Sequence, residues 1–289
     1  MKKNSVFCMI LMFFLFLFTS NINAQCSDAG ICQFRYSIDP DDEKKFDVSA
    51  SYKYGYSGKE NDVNFHSFQL NTLYSFIRKS ALELVIPYNI QSGPGGDVNG
   101  IGDLMLSWSQ GLFSDEHSSF DATIGVRFAT GDVNKEPLVP QIYQNGLGTN
   151  DVIFAVNYYY DKIGFGVGYQ LAGGRNDNAV TRLKRGDDLL IRASYLFSLE
   201  DLSIIPQLLF IKRLSESSIL DTNLTNESFI EVDKSDQSQL NLLIQLQYEM
   251  SRNFALIADC AIPFINREVN VDGLTRAYTF SLGAKYKLN

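Results

Sequence analysis

Histidine is nearly absent, with only His66 and His117 in 289 residues, which excludes histidine-rich metal centres and most nucleophile–base pairs. Cationic side chains are in deficit: 25 Lys and Arg stand against 33 Asp and Glu, a formal charge of -8. Such a surface repels a phosphate backbone, so nucleic acid is excluded as a partner. Beyond the first two dozen residues no apolar run is long enough for a transmembrane helix, so any membrane crossing has to be made of strands. A hydrophobic content of 45% does not by itself choose between a soluble globule and a barrel that averages a lipid face with a wet lumen.

What the chain does have begins with a leader. Met1-Lys2-Lys3, an apolar run from Val6 to Phe18 and a small residue at Ala24 make residues 1–24 a secretory signal peptide, cut before Gln25. A lipoprotein anchored through Cys26 is the rival reading, but Gln25 stands where that signal wants a small residue. Of the four cysteines, Cys8 leaves with the leader. Cys26 and Cys32 have the spacing of a small disulfide loop in an oxidising compartment, and no histidine is near enough to favour metal over this staple. Cys260 is left unpaired, alternating with Phe254, Leu256, Ala258 and Ile262 on a lipid face. Residues 25–44 form a polar periplasmic lead segment with the size to enter a lumen as a plug.

The remainder, 45–289, alternates with period two. From Asp151 to Tyr160, Val152, Phe154, Val156, Tyr158 and Tyr160 share one face, with Ile153, Ala155, Asn157 and Tyr159 on the other. After the turn Asp161-Lys162, Ile163, Phe165, Val167 and Tyr169 oppose Gly164, Gly166, Gly168 and Gln170. One face is apolar and ends in tyrosine while the other is small or polar, the inverse of a soluble core. Twelve strands read off this way, over about 45–56, 64–77, 81–90, 102–110, 119–130, 151–160, 163–170, 188–197, 202–212, 238–250, 253–264 and 275–288. The ninth is ambiguous because both its faces are apolar.

The connections decide the architecture. After even strands they are short, as at Arg78-Lys79-Ser80, Asp161-Lys162 and Ser251-Arg252; after odd strands they are long and rich in Gly, Asn, Asp and Ser, as at 131–150 and 214–236. A soluble β-sandwich has no reason to sort its loops by parity, whereas an outer-membrane barrel has short periplasmic turns and long outer loops. The expected fold is all-β, a transmembrane antiparallel up-and-down β-barrel of about twelve strands with both termini periplasmic. Its localisation is the outer membrane of a Gram-negative cell, with outer-membrane lipid as its first partner. The ending Ser281-Leu282-Gly283-Ala284-Lys285-Tyr286-Lys287-Leu288 resembles the carboxy-terminal signal read by the barrel assembly machinery, a partner during biogenesis, although it closes on Asn289 and not on phenylalanine.

Gly100-Ile101-Gly102-Asp103-Leu104, Arg127-Phe128-Ala129-Thr130-Gly131-Asp132 and Gly146-Leu147-Gly148-Thr149-Asn150-Asp151 each flank a strand. In that order and spacing, from about Tyr52 onward, they resemble the outer-membrane barrel family labelled phenol meta-pathway degradation proteins or, more loosely, transporters. Ala129 stands where that family commonly has proline. The resemblance implies uptake of small aromatic or otherwise hydrophobic compounds.

Other motifs lead nowhere. The run from Gly93 to Gly100 lacks the following helix that a phosphate cradle needs, so turns explain it. Asp97, Asn99 and Asp103 fall short of a calcium loop's ligand spacing. His66 and Ser67 resemble a lipolytic pair in composition, but neighbours in a strand point to opposite faces; no catalytic residue, metal or cofactor is expected, and the chain is not read as an enzyme. His117 lies by a short turn with no evident partner. The inward positions Asp103, Asp121, Arg127, Asn157, Arg192, Gln245, Asp259 and Lys285, joined by Gln247 and Glu249, carry both charges. Two readings of this lumen stand open: mutual pairing across a narrow barrel, or a lining that filters solutes. Gly164, Gly166 and Gly168 clear one inner wall for a plug or a solute. The expected function is an outer-membrane channel for passive uptake of small hydrophobic or aromatic solutes; the alternative is a non-transport surface barrel that binds a partner through its outer loops, chiefly 214–236.

Overall fold

The computed structural model describes residues 45–77, 79–135, 140–222, 227–274 and 276–288. The leader, the lead segment and the Cys26 to Cys32 loop lie outside them.

Alternating sequence becomes a closed antiparallel ring. Its twelve barrel strands are β1 (Phe46–Tyr56), β2 (Asn64–Ile77), β3 (Ser80–Gly93), β5 (Leu104–Ser114), β6 (Ser118–Phe128), β7 (Asp151–Tyr160), β8 (Ile163–Leu171), β9 (Asp188–Tyr195), β11 (Leu202–Arg213), β14 (Ser238–Glu249), β15 (Phe254–Ile265) and β16 (Tyr278–Leu288). Each pairs with its sequence neighbour, and β16 returns to β1 with Phe46 opposite Leu288. Closure satisfies every strand's edge, the condition for a sheet in hydrocarbon. Four short strands decorate the ring: β4 (Gly96–Ile101), which extends β3 as a hairpin, β10 (Phe197–Leu199) beside β11, and the loop hairpin of β12 (Ser218–Leu220) and β13 (Phe229–Glu231).

The connections sort to two ends. The short turns carry Lys79, Asp161 and Glu200 at φ of 64°, 48° and 50°, the left-handed backbone that tight hairpins require. Phe46 and Leu288, the ends of the ring, lie at this short-turn end. At the other end the stretch from Gly93 to Gly100 is a hairpin turn followed by β4, not a free loop.

The outward face is apolar and accessible: Phe68, Phe154, Phe165 and Leu282 are each about half exposed, at 52%, 48%, 55% and 53%. Aromatic pairs gather toward both rims. Phe46 meets Tyr74 at 6.4 Å and Tyr195 meets Phe197 at 4.6 Å at the short-turn end, while Tyr54 and Tyr56 each lie 6.1 Å from Tyr278 at the loop end. An apolar belt flanked by aromatic girdles fits a bilayer. Cys260 is opposite Phe280 and Ile244 on this belt and is a free thiol.

Inside, the ring is asymmetric. Val85, Met105, Ile153, Ala155, Leu190, Leu209 and Ile211, from β3 round to β11, are packed into one apolar cluster against which Leu243 also leans. On β15, β16, β1 and β2 the inward residues are mainly polar or small, including Asp259, Ser281, Lys285, Ser51, Lys53 and Gln69, with Phe65, Leu73 and Ile257 the larger apolar exceptions. The ninth strand of the sequence, β11, is apolar on both faces for this reason: Leu208 is 44% exposed toward lipid, whereas Leu209 and Ile211 are 1% exposed in the cluster.

Candidate functional site: a capped lumen mouth

The loop end is closed by three connections that fold over it. Between β6 and β7 the chain turns inward through the 3-10 segment Gln141–Tyr143, all of it buried. Strand residues hold it there. The Asn89 amide donates to the Asn145 carbonyl at 3.0 Å and the Gln91 amide to the Gln144 carbonyl at 3.3 Å, while the Tyr143 hydroxyl accepts from the Gly95 amide at 2.8 Å. Asp103, just before β5, accepts from the Gly131 amide at 3.0 Å and the Leu147 amide at 2.7 Å, so its carboxylate fastens both ends of the inward turn. The second connection, 172–187, adds Asn176, whose amide donates to the Leu147 carbonyl at 2.9 Å. The third, 266–277, packs backbone to backbone: Gly273, at φ of 69°, lies so close that a Cβ there would fall 2.5 Å from Ile142 Cα. Only glycine meets both conditions.

Buried charges lock these connections together. Asp151, the first residue of β7, is fully buried and accepts from Arg185 of the second connection; Arg127 lies 3.6 Å away, and Gln170 and Thr149 donate at 2.7 and 2.8 Å. Asp272 of the third connection meets Arg213 at 2.7 Å and Arg185 at 3.8 Å. Arg213 also grips Asp188 with two donors at 3.1 Å each. Burial alone would push the Asp272 carboxyl up, but the guanidiniums of Arg213, Arg267 and Arg185 outweigh it and hold it well below the usual carboxylate range. Arg276 completes the mouth with its guanidinium 3.2 Å over the Phe65 ring. Beneath this lid lies a cavity of about 100 Å³, lined by the polar Gln91, Gln144 and Asn145 and the apolar Val85, Met105 and Ile142 among others.

The inward positions named from the sequence fall into separate groups. Arg127 and Asp103 belong to the mouth. Deeper, Asn157 donates to Asp121 at 2.8 Å and accepts from Arg192 at 2.8 Å, and Arg192 also reaches the Tyr159 hydroxyl at 3.3 Å. On the polar wall Asp259 accepts from Ser281 at 2.9 Å and is hydrogen-bonded to Gln245, while Lys285 stands in register between Ser49 and Ala255. Gln247 donates to Glu249 at 2.5 Å. The wall cleared by glycine is filled by its neighbours: a Cβ at Gly166 would meet Asn157 Oδ1 at 2.6 Å, and one at Gly164 would meet Ser194 Oγ at 2.5 Å. Asp97 and Asn99 are exposed on β4 while Asp103 faces the mouth, and no cluster of metal-ligating side chains forms among the described residues.

His66 lies outward, accepting from or donating to the Tyr52 hydroxyl at 2.6 Å, while Ser67 faces inward and donates to Asn89 at 2.8 Å. The two cannot act as a pair. His117 does have a partner, Asp161 of the adjacent turn, at 2.8 Å. Sequence reasoning missed Arg185, Arg213, Asp188 and Asp272 entirely. Their one visible signal was charge, within connections otherwise rich in Gly, Asn and Ser for Arg185 and Asp272 and at the loop ends of β9 and β11 for Asp188 and Arg213.

No family model matches the chain and no curated protein matches it. Among solved structures it is similar to an outer membrane channel from Pseudomonas putida F1, at 15% identity and a TM-score of 0.60 over 87% of this chain and 100% of that one. It is also similar to the NanC porin, at 11% identity and a TM-score of 0.51 over 84% of this chain and 100% of that one. At such identities the likeness is one of fold. The chain has the fold of an outer-membrane β-barrel, and its apolar belt and aromatic rims suit it to the outer membrane.

Proposed function

We propose that the protein is a passive outer-membrane channel for small hydrophobic or aromatic solutes, with its short turns in the periplasm and its capped mouth outside. The observation that carries this reading is the two-sided lumen: an apolar cluster from Val85 to Ile211 faces a wall of mainly polar and small side chains on β15, β16, β1 and β2. An uncharged solute with an apolar surface loses little on leaving water for such a passage, while the polar wall keeps it from being trapped. No energy coupling is needed. The test is solute entry into liposomes carrying the refolded protein, comparing phenol with a sugar of similar size after subtracting entry through bare lipid. Protein-dependent phenol entry exceeding sugar entry is expected; absence of protein-dependent flux from a folded barrel would overturn the reading.

A second reading has its own support. In the β12–β13 hairpin Phe229 and Ile230 are 40% and 45% exposed, and Leu214, just after β11, is 49% exposed, apolar surface of the kind that meets partners. A surface barrel binding through this loop would lose its partner when residues 214–236 are exchanged, whereas a channel would keep conducting.

A further inference from the structure

We propose that passage through the barrel is confined to one side of its lumen, along the inward faces of β14, β15, β16, β1 and β2, and that the apolar cluster is a packed partition beside this route. The proposal rests on the channel reading and deepens it by naming the residues a solute touches.

One side of the lumen is filled. From Asp121 to Arg127 on β6, and along the whole of β7, β8 and β9, every inward residue is buried. Three layers occupy that half. Toward the loops, Asp151 is surrounded by Arg127, Gln170 and Arg185. Below it Ile153, Leu190 and Ile211 belong to the apolar cluster. Nearest the short turns, Asp121, Asn157, Arg192 and Tyr159 are hydrogen-bonded one to the next. The glycines of β8 leave no gap, since a Cβ at Gly164 or Gly166 would run into Ser194 or Asn157. Side chains packed to interior density leave few voids larger than a water, so this half carries no solute.

The opposite side is open. A closed ring leaves an inward side chain only the lumen to be exposed to, and here Gln245, Lys285, Ser51, Lys53, Gln69 and Asn71 are all partly exposed. Ser281 and Ala255, both small, are the buried exceptions at these heights. In register, Gln247, Ile257, Gly283, Ser51 and Gln69 stand opposite one another across five neighbouring strands, and each is partly exposed. The exposed row is therefore continuous round this side. It also reaches the cap, because Ser67 and Gln69 line the cavity there together with Asp272, Gly273 and Arg276 of the third connection. Most of its side chains are amides and hydroxyls, so an uncharged solute keeps hydrogen-bonding partners along it. Ile257 and Leu243, both partly exposed, supply the apolar contact.

Cysteine accessibility separates the two sides. On a background without the natural cysteines of the mature chain (Cys26→Ser, Cys32→Ser, Cys260→Ala), Ser51→Cys, Gln69→Cys and Gln245→Cys probe the open side. Thr123→Cys, Ala155→Cys and Ser194→Cys probe the packed side, where all three residues are buried. Each mature chain is refolded, with folding verified by heat-modifiable migration, and treated with a cationic and, separately, an anionic methanethiosulfonate, so that local charge cannot mimic access. Modification is read by mass, and each rate is divided by that of the same variant unfolded in urea. Open-side thiols are expected to react about tenfold faster with both reagents, as exposure governs thiol reactivity. Their modification should lower planar-bilayer current, while treatment of packed-side variants leaves it unchanged. Equal rates on the two sides, faster reaction on the packed side, or open-side modification that leaves an existing current unaltered would overturn the proposal. Ser51→Cys and Ser194→Cys each change a single atom, and they decide the comparison if the larger substitutions do not fold. A conducting barrel whose two sides react alike sinks this inference alone. A folded barrel with neither current nor solute entry sinks the channel reading, whatever its thiols do.

Discussion

The two ends of the barrel hold charge differently: among the described residues the loop end adds a buried lattice to exposed pairs such as Lys212 and Asp236. At the loop end Asp151, Asp272, Arg185 and Arg213 have side chains no more than 2% exposed, and each carboxylate serves partners from separate segments of chain. At the short-turn end the pairs are wet: His117 and Asp161 are 62% and 54% exposed, and Lys287 approaches Glu249 only to 3.8 Å with both about one-third exposed. Exposed pairs of this kind contribute little. Buried ones need not add net stability either, but each member becomes indispensable once the others are in place. The difference assigns the ends different work. The short-turn end needs only to close hairpins, whereas the loop end must keep three connections folded across a mouth.

Breaking the buried lattice should therefore give the largest effect. Asp272→Ala leaves Arg213, Arg185 and Arg267 without their shared counter-charge, and a loss of about 3–5 kcal/mol is expected on urea unfolding in lipid vesicles, as for other broken buried pairs. Because the residue ties a connection and not a strand, planar-bilayer conductance should rise together with that loss. Acid tests the same bond without mutation. The Asp272 carboxyl is depressed in the folded state, so its contribution is present above the unfolded value of about 3.9 and disappears as pH falls through the folded value. Conductance of the wild type should thus be flat from neutral pH to about pH 4 and rise only below it, and Asp272→Ala should remove this particular transition. A step near neutrality would place the closing force elsewhere.

The apolar cluster gives the next effect and sharpens the contrast between the two lumen walls. Leu209→Ala removes a side chain 1% exposed from the middle of that cluster, for an expected cost of about 3 kcal/mol. The outward neighbour Leu208, 44% exposed, should cost clearly less when changed to alanine, since only lipid contact is lost. Comparable losses at both positions would mean that the inner wall is not packed.

The strands were legible because a membrane barrel repeats one simple instruction, apolar out and small or polar in, and β2 and β7 fall on the residues where alternation starts and stops. Asp121, Asn157 and Arg192 were legible by the same parity. The apolar inner wall was not: alternation put Ile153 on the inner face of β7, but its neighbours there are small or polar, and Leu190 and Leu209 look like lipid-facing residues to any rule that equates apolar with outward. Nor was the cap. Its bonds join Arg185 to Asp151 across 34 residues and Arg213 to Asp272 across 59, and no periodicity in a connection announces a partner that distant. Asp103 lies between these cases: its place beside a strand was readable, but its carboxylate faces backbone amides of another connection, which only the folded chain brings near.

The smallest effect is expected at the short-turn end, and it is the one that would most directly undo the contrast. His117 Nδ1 reaches Asp161, while the Asp161 backbone amide donates to the His117 carbonyl at 2.8 Å. The backbone bond survives His117→Ala; only the exposed side-chain contact is lost, at an expected cost below about 1 kcal/mol. Urea unfolding at low and high salt separates the outcomes, because an exposed pair is screened over a Debye length of about 8 Å at physiological ionic strength. A small loss that shrinks with salt fits a solvated contact. A loss rivalling that of Asp272→Ala, unchanged by salt, would mean that the adjoining turns are fastened as firmly as the cap, and the two ends would no longer differ in kind.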